Sequence, residues 1–111
     1  MTEMRNVSLA EALELIDQGA LVLDVRERRE WSQGRWGAAL NVALSDVPDS
    51  LEQLPRERTI VCVCRSGGRS RVAAQFLADH DFDVVNLEGG MLAWVAAGEA
   101  IIADHGEPAI I

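Results

Sequence analysis

The sequence predicts an α/β domain with a mainly parallel central sheet flanked by helices, and three observations carry that expectation. Short, almost wholly apolar runs at Ala20–Val25, Thr59–Val63 and Val84–Leu87 suit strands covered on both faces. Segments whose apolar residues recur at helical spacing alternate with these runs. No repeat, low-complexity tract or Pro/Gly/Ser linker divides the 111 residues, so a single domain is expected, with its core over about residues 8–97 and a tail over 98–111.

Taken in order, Ser8 and Glu11 form a capping-box pattern. Leu9, Ala12, Leu13 and Ile16 then mark a helix that runs until Gly19. After the first apolar strand, a charged stretch with Glu27, Arg28, Arg29, Glu30 and Trp31 reads as a short surface helix ending near Gly34. Ala38–Val42 reads as a weaker strand, and Asp46–Leu54 as a short helix loosened by Pro48. Thr59-Ile60-Val61-Cys62-Val63 is the clearest strand, β-branched apart from Cys62. Beyond the loop that follows it, Val72, Ala73, Phe76 and Leu77 mark one face of a helix reaching roughly His80. Val84–Leu87 is the last strand, closed by Gly89-Gly90, and Met91–Ala97 the last helix.

Composition narrows the function classes. Eighteen acids against ten bases give a formal charge of −8, which argues against a nucleic-acid or anionic-membrane partner bound over a broad surface. Every base is arginine, so a Schiff-base lysine or a phosphate-loop lysine is excluded. Between Arg56 and Arg71 five arginines meet one acid, Glu57, so positive charge is concentrated around one segment, as a small-anion site requires. Met1–Val7 lacks the apolar core of a secretory signal, and no apolar run is long enough to span a bilayer. Cys62 and Cys64 are too close together to staple a secreted mini-domain, so a reducing, cytoplasmic setting is expected. No metal-ligand spacing occurs and neither His80 nor His105 has a partner in sequence, so no metal or other cofactor is expected.

The chemistry is expected at Cys64-Arg65-Ser66-Gly67-Gly68-Arg69-Ser70, between a strand and a helix. Such a loop must curl back before the helix begins, and Gly67 and Gly68 are the residues expected to take positive φ. The N–H groups of Arg65 to Ser70 can then point inward as an anion nest, backed by the positive end of the helix, with the Cys64 sulfur at its centre. An unperturbed cysteine, with a pKa of about 8.5, is only roughly 3% thiolate at neutral pH, and a drop of about two units would make it mostly thiolate without a histidine base. Cys62, between Val61 and Val63, reads as a core residue. Asp24 and Arg26 read as a bracing ion pair rather than a catalytic one, and the three tryptophans as core or rim packing.

The Cys64–Ser70 segment resembles the active-site loop of rhodanese domains. Two further segments resemble that family in the same order: Leu23-Asp24-Val25-Arg26 with Glu30-Trp31, and Glu88-Gly89-Gly90-Met91-Leu92-Ala93-Trp94. The chain departs at Gly34-Arg35-Trp36-Gly37-Ala38-Ala39, where the family reads Gly-His-Ile-Pro-Gly-Ala, and the missing histidine and proline bear on local loop shape and substrate access. The resemblance implies a single rhodanese-like domain and a sulfurtransferase that carries a persulfide on Cys64. Thiolate Cys64 would attack the outer sulfur of a small anionic donor such as thiosulfate, and cyanide, a thiol or a protein cysteine would then remove the sulfur. Arg65 or Arg69 would help bind the donor's oxygens.

Two other readings compete. A cysteine-arginine anion loop also serves phosphatases and arsenate reductases, but protein tyrosine phosphatases place five residues between cysteine and arginine where this chain has four. The other is a persulfide-carrying relay or regulatory module that docks to a partner protein.

Overall fold

The computed structural model describes residues 3–111, so the first two residues of Met1–Val7 lie outside the description. A five-stranded sheet of order β1-β5-β4-β2-β3 is built from β1 (Arg5–Val7), β2 (Leu21–Asp24), β3 (Leu40–Asn41), β4 (Ile60–Val63) and β5 (Val84–Leu87), and every pairing is parallel. Among the described residues four α-helices flank it, α1 (Leu9–Asp17), α2 (Arg28–Gln33) and α3 (Gly68–Asp79) between strands and α4 (Gly90–Ala96) after the last one. This is the α/β architecture that the apolar runs predict.

Because side chains alternate across a strand, the sheet divides the apolar residues between two cores. Leu23, Ile60, Cys62 and Val84 face α3, where Ala73, Ala74, Leu77 and Phe82 close over them. Val22, Val61, Val63 and Val85 face the other way, against Ala12 of α1 and Met91 and Trp94 of α4. The central strand β4 and its neighbour β5 are buried at every position. Their carboxyl ends therefore open onto the loops, where an α/β sheet binds its ligands.

The structure corrects several elements. β1 is absent from the sequence reading, because a three-residue edge strand with one buried side chain, Val7, is too short to show alternation. At the other edge, β3 is two residues rather than five. The segment around Pro48 is a 3₁₀ helix over Leu44–Gln53 rather than an α-helix. On α3 the buried stripe is Ser70, Ala73, Ala74, Leu77 and Ala78, and Val72, expected on that face, is 60% exposed. Counting from Ser70, the offsets of three, four, seven and eight define the inward face, and Val72 falls off it. The capping box at α1 is half made: Ser8 Oγ accepts from Glu11 N–H at 3.2 Å, while the Glu11 carboxylate pairs with Arg5.

Residues 98–111 pack back across α2. Ile102 bridges to Arg35, Asp104 pairs with the Arg35 guanidinium at 2.8 Å, and Ala109 N–H donates to Gln33 O at 3.0 Å. A side chain at Gly34 would collide with Ala109 O. Arg35 also lies over the Trp31 ring at 3.8 Å, and Trp36 meets Trp94 edge to face. The segment that departs from the rhodanese pattern is thus shaped by the chain's own tail and tryptophans.

Candidate active site

β4 ends at Val63 and α3 begins at Gly68, so Cys64 to Gly67 must reverse direction within four residues. Gly67 makes the turn, with φ +108°, a conformation that costs any residue with a Cβ about 1–2 kcal/mol. Gly68 was expected to share that role and does not: it lies outside the positive-φ set as the first residue of α3, with open space where a Cβ would stand. The loop is held from the other side by α4, whose Met91 and Leu92 N–H groups donate to Cys64 O (2.8 Å) and Arg65 O (3.0 Å). Gly90 permits that approach, since a Cβ there would lie 2.4 Å from Cys64 O.

The Cys64 sulfur occupies the centre of this turn, and the residue is only 1% exposed. Gly67 N–H donates to Sγ at 3.1 Å, and Ser70 Oγ stands 3.3 Å from it. Burial pushes the Cys64 thiol up. The Ser70 hydroxyl and the N–H groups of Ser70, Gly67 and Ser66 pull it down and prevail, so the net direction is below the ordinary cysteine value. These donors come from the turn and the first turn of α3, where helix N–H groups have no partner of their own.

The loop arginines are differently placed. Arg69 makes a bidentate ion pair with Glu30 of α2, at 2.7 and 2.9 Å. That hydrogen bonding outweighs burial and, with the Glu27 N–H, holds the Glu30 carboxyl down at about 2. The anion that meets the Arg69 guanidinium in this structure is therefore a carboxylate of the chain itself. Arg65 extends outward and its Nε donates to Ile111 O at 3.2 Å. Asp24 and Arg26 pair at 2.7 Å with no exposure on either side chain, and Arg26 also donates to Gly34 O at 2.7 Å. That pair braces the end of β2 against the α2 turn. Among the described residues no three His, Cys, Asp or Glu side chains converge as metal ligands do.

A rhodanese-like domain model matches residues 8–97. The chain belongs to the rhodanese-like domain family. A sulfurtransferase of Allochromatium vinosum is 33% identical over 107 residues, covering 96% of this chain and 99% of its own. The thiosulfate sulfurtransferase GlpE of Pseudomonas fluorescens is 28% identical over 95 residues, covering 85% of this chain and 87% of its own. A rhodanese-related protein of Thermoplasma volcanium superposes with a TM-score of 0.83 at 30% identity, over 88% of this chain and 97% of that one. The fold and family expected from the Cys64–Ser70, Asp24–Trp31 and Glu88–Trp94 segments are those found, and at family level the activity is sulfur transfer.

Within this rhodanese-like domain, two side chains beside the loop went unread in the sequence. Glu30 stands in an acidic-aromatic pair, and nothing in sequence links it to Arg69, 39 positions away. Asn86 left a plainer signal, a lone amide inside the apolar run Val84–Leu87.

Proposed function

We propose that this protein moves a sulfane sulfur from a small anionic donor such as thiosulfate to a thiophilic acceptor, cyanide or a thiol, through a persulfide on Cys64. The observation that carries the reading is the buried sulfur that accepts from Gly67 N–H at 3.1 Å with Ser70 Oγ 3.3 Å away, its thiol drawn down also by the N–H groups of Ser70 and Ser66. In the first step the Cys64 thiolate attacks the outer sulfur of thiosulfate. A new S–S bond forms, the old one breaks, and sulfite leaves with the bonding pair. The negative charge stays on the sulfur now outermost on Cys64, so the step needs donors already aimed at that position. In the second step the acceptor's lone pair attacks that outer sulfur and Cys64 departs as thiolate, again under the same N–H groups. The name of the relative GlpE supplies thiosulfate as the donor to try first.

The ion pair between Arg69 and Glu30 weighs against phosphoryl chemistry. A phosphatase loop turns its arginine onto the phosphate, and here the guanidinium fork is already filled by a carboxylate. Incubation with thiosulfate is expected to add about 32 Da to the intact protein, mapped to Cys64 and reversed by dithiothreitol. Sulfur mapped to Cys62, or thiosulfate turnover by Cys64→Ser, would overturn the assignment.

A further inference from the structure

Asn86 stands in the middle of β5, in register with Cys62 of β4 on one side and Asn6 of β1 on the other. Its side chain faces α3 and is 2% exposed. An amide buried in a strand must find partners, and those of Asn86 are specific. Nδ2 donates to Gly67 O at 3.2 Å and to Asn6 Oδ1 at 2.9 Å, while Oδ1 accepts from the Ser70 hydroxyl at 2.6 Å. The Gly67 carbonyl can only accept, so it fixes which end of the amide faces the loop. With Nδ2 turned to Gly67, Oδ1 must face Ser70. One side chain therefore holds two residues that reach the sulfur: Gly67, whose N–H donates to Sγ at 3.1 Å, and Ser70, whose Oγ lies 3.3 Å from Sγ and whose single hydroxyl hydrogen is divided between Oδ1 and the sulfur.

We propose that Asn86 is the positioning residue of the cysteine cradle, setting the reactivity of Cys64 by pinning Gly67 in its left-handed turn and Ser70 in the rotamer that meets the sulfur. Asn86 does not touch Sγ itself; its effect passes through the two groups that do. Asn6, from an edge strand invisible in the sequence pattern, backs it by occupying the second Nδ2 hydrogen. The inference rests on Cys64 being the nucleophile but not on the identity of the donor.

The test is the pH dependence of iodoacetamide alkylation at Cys64 in wild type, Asn86→Ala and Ser70→Ala, alone and combined, with circular dichroism to verify the fold. Asn86→Ala is expected to raise the Cys64 pKa by about one unit through release of the Gly67 turn, a loss of thiolate at neutral pH of up to about tenfold. Its effect should not simply add to that of Ser70→Ala, because part of it travels through the hydroxyl hydrogen that Ser70 divides between Oδ1 and the sulfur. Sulfur transfer by the variant should fall by a similar factor at neutral pH and recover as the pH is raised, which a merely structural defect would not do. Should Asn86→Ala not fold, Asn86→Thr keeps a β-branched residue in the strand without an amide to span Gly67 and Ser70, and the same shift is expected. A folded variant that alkylates with the wild-type pKa, or adds its full effect to that of Ser70→Ala, overturns the proposal. Failure of the sulfur-transfer reading would appear instead as a wild type that takes no sulfur from thiosulfate at any pH.

Discussion

Cys62 and Cys64 lie two residues apart, face the same side of the sheet and are both buried, yet their thiols are pushed in opposite directions. Burial drives Cys62 up, and the neighbouring Cys64 adds to it. Burial also drives Cys64 up, but donors from Ser70, Gly67 and Ser66 reverse the sign. The difference is the backbone. Inside β4, N–H groups are spent on β2 and β5, while beyond the strand the Gly67 N–H turns inward onto the sulfur. Reactivity here is a property of where the ladder stops.

The sharpest way to break this contrast is to remove each thiol in turn. Cys64→Ser is expected to abolish sulfur transfer, a loss on the order of 10³-fold or more, with little effect on thermal stability. Cys62→Ala should keep activity within about twofold and lower stability by about 1 kcal/mol, the result of a small void in a packed core. A steady-state thiocyanate assay with thermal unfolding checks both. If Cys62→Ala loses activity while still folded, the interior cysteine is part of the chemistry and the contrast fails.

A second, smaller effect divides the two glycines. Gly67→Ala places a Cβ on a backbone at φ +108°, with Gly89 N at 3.4 Å, and should swing the 67 N–H away from the sulfur. It is expected to cost about 1–2 kcal/mol of stability and to slow transfer by about 10- to 100-fold. Gly68→Ala puts a better helix former into open space at the start of α3 and should be neutral or stabilising by up to about 1 kcal/mol, with activity kept. Denaturant unfolding and the alkylation pKa of each variant decide between them. Equal losses at both positions would mean that the turn is held by something other than the Gly67 backbone.

Legibility in the sequence followed the range of the signal. The strands β2, β4 and β5, the four helices and the cysteine loop were readable because apolar runs, helical spacing and paired glycines are local. The strand β1 was not, since its place is set by pairing of Arg5–Val7 with Val85–Leu87, across the whole chain. The same holds for the site. Cys64 and its glycines lie in one segment, but Asn86 and Glu30 reach the loop from β5 and α2, and only the fold brings them there. Arg69 shows the converse limit: its position suggested a cation waiting for a donor anion, and the carboxylate that meets it is invisible until the chain is folded.

That ion pair gives the smallest expected effect and a separate test of whether dipoles or charges activate Cys64. Since Glu30 already balances the Arg69 guanidinium, Arg69→Ala should move the Cys64 alkylation pKa less than Ser70→Ala does, although the guanidinium and a Cys64 thiolate attract each other. Glu30→Gln leaves Arg69 uncompensated and should lower the Cys64 pKa slightly. The same variant has a pH signature in stability. Glu30 is held at about 2 in the folded protein, against about 4.3 for an ordinary unfolded glutamate. A depressed carboxyl stabilises the fold above its unfolded pKa, and that contribution disappears as the pH falls from about 4.5 towards 2. The wild type should therefore unfold at higher temperature than Glu30→Gln near neutrality, and the gap should narrow steadily across that acid window. Since the Arg69 side chain is 37% exposed, water screens the pair and the gap at neutral pH should be modest. A gap that persists unchanged down to pH 2 would assign Glu30 a packing role, and a Cys64 pKa that moves more with Arg69→Ala than with Ser70→Ala would replace fixed dipoles with charge as the cause of the contrast between the two cysteines.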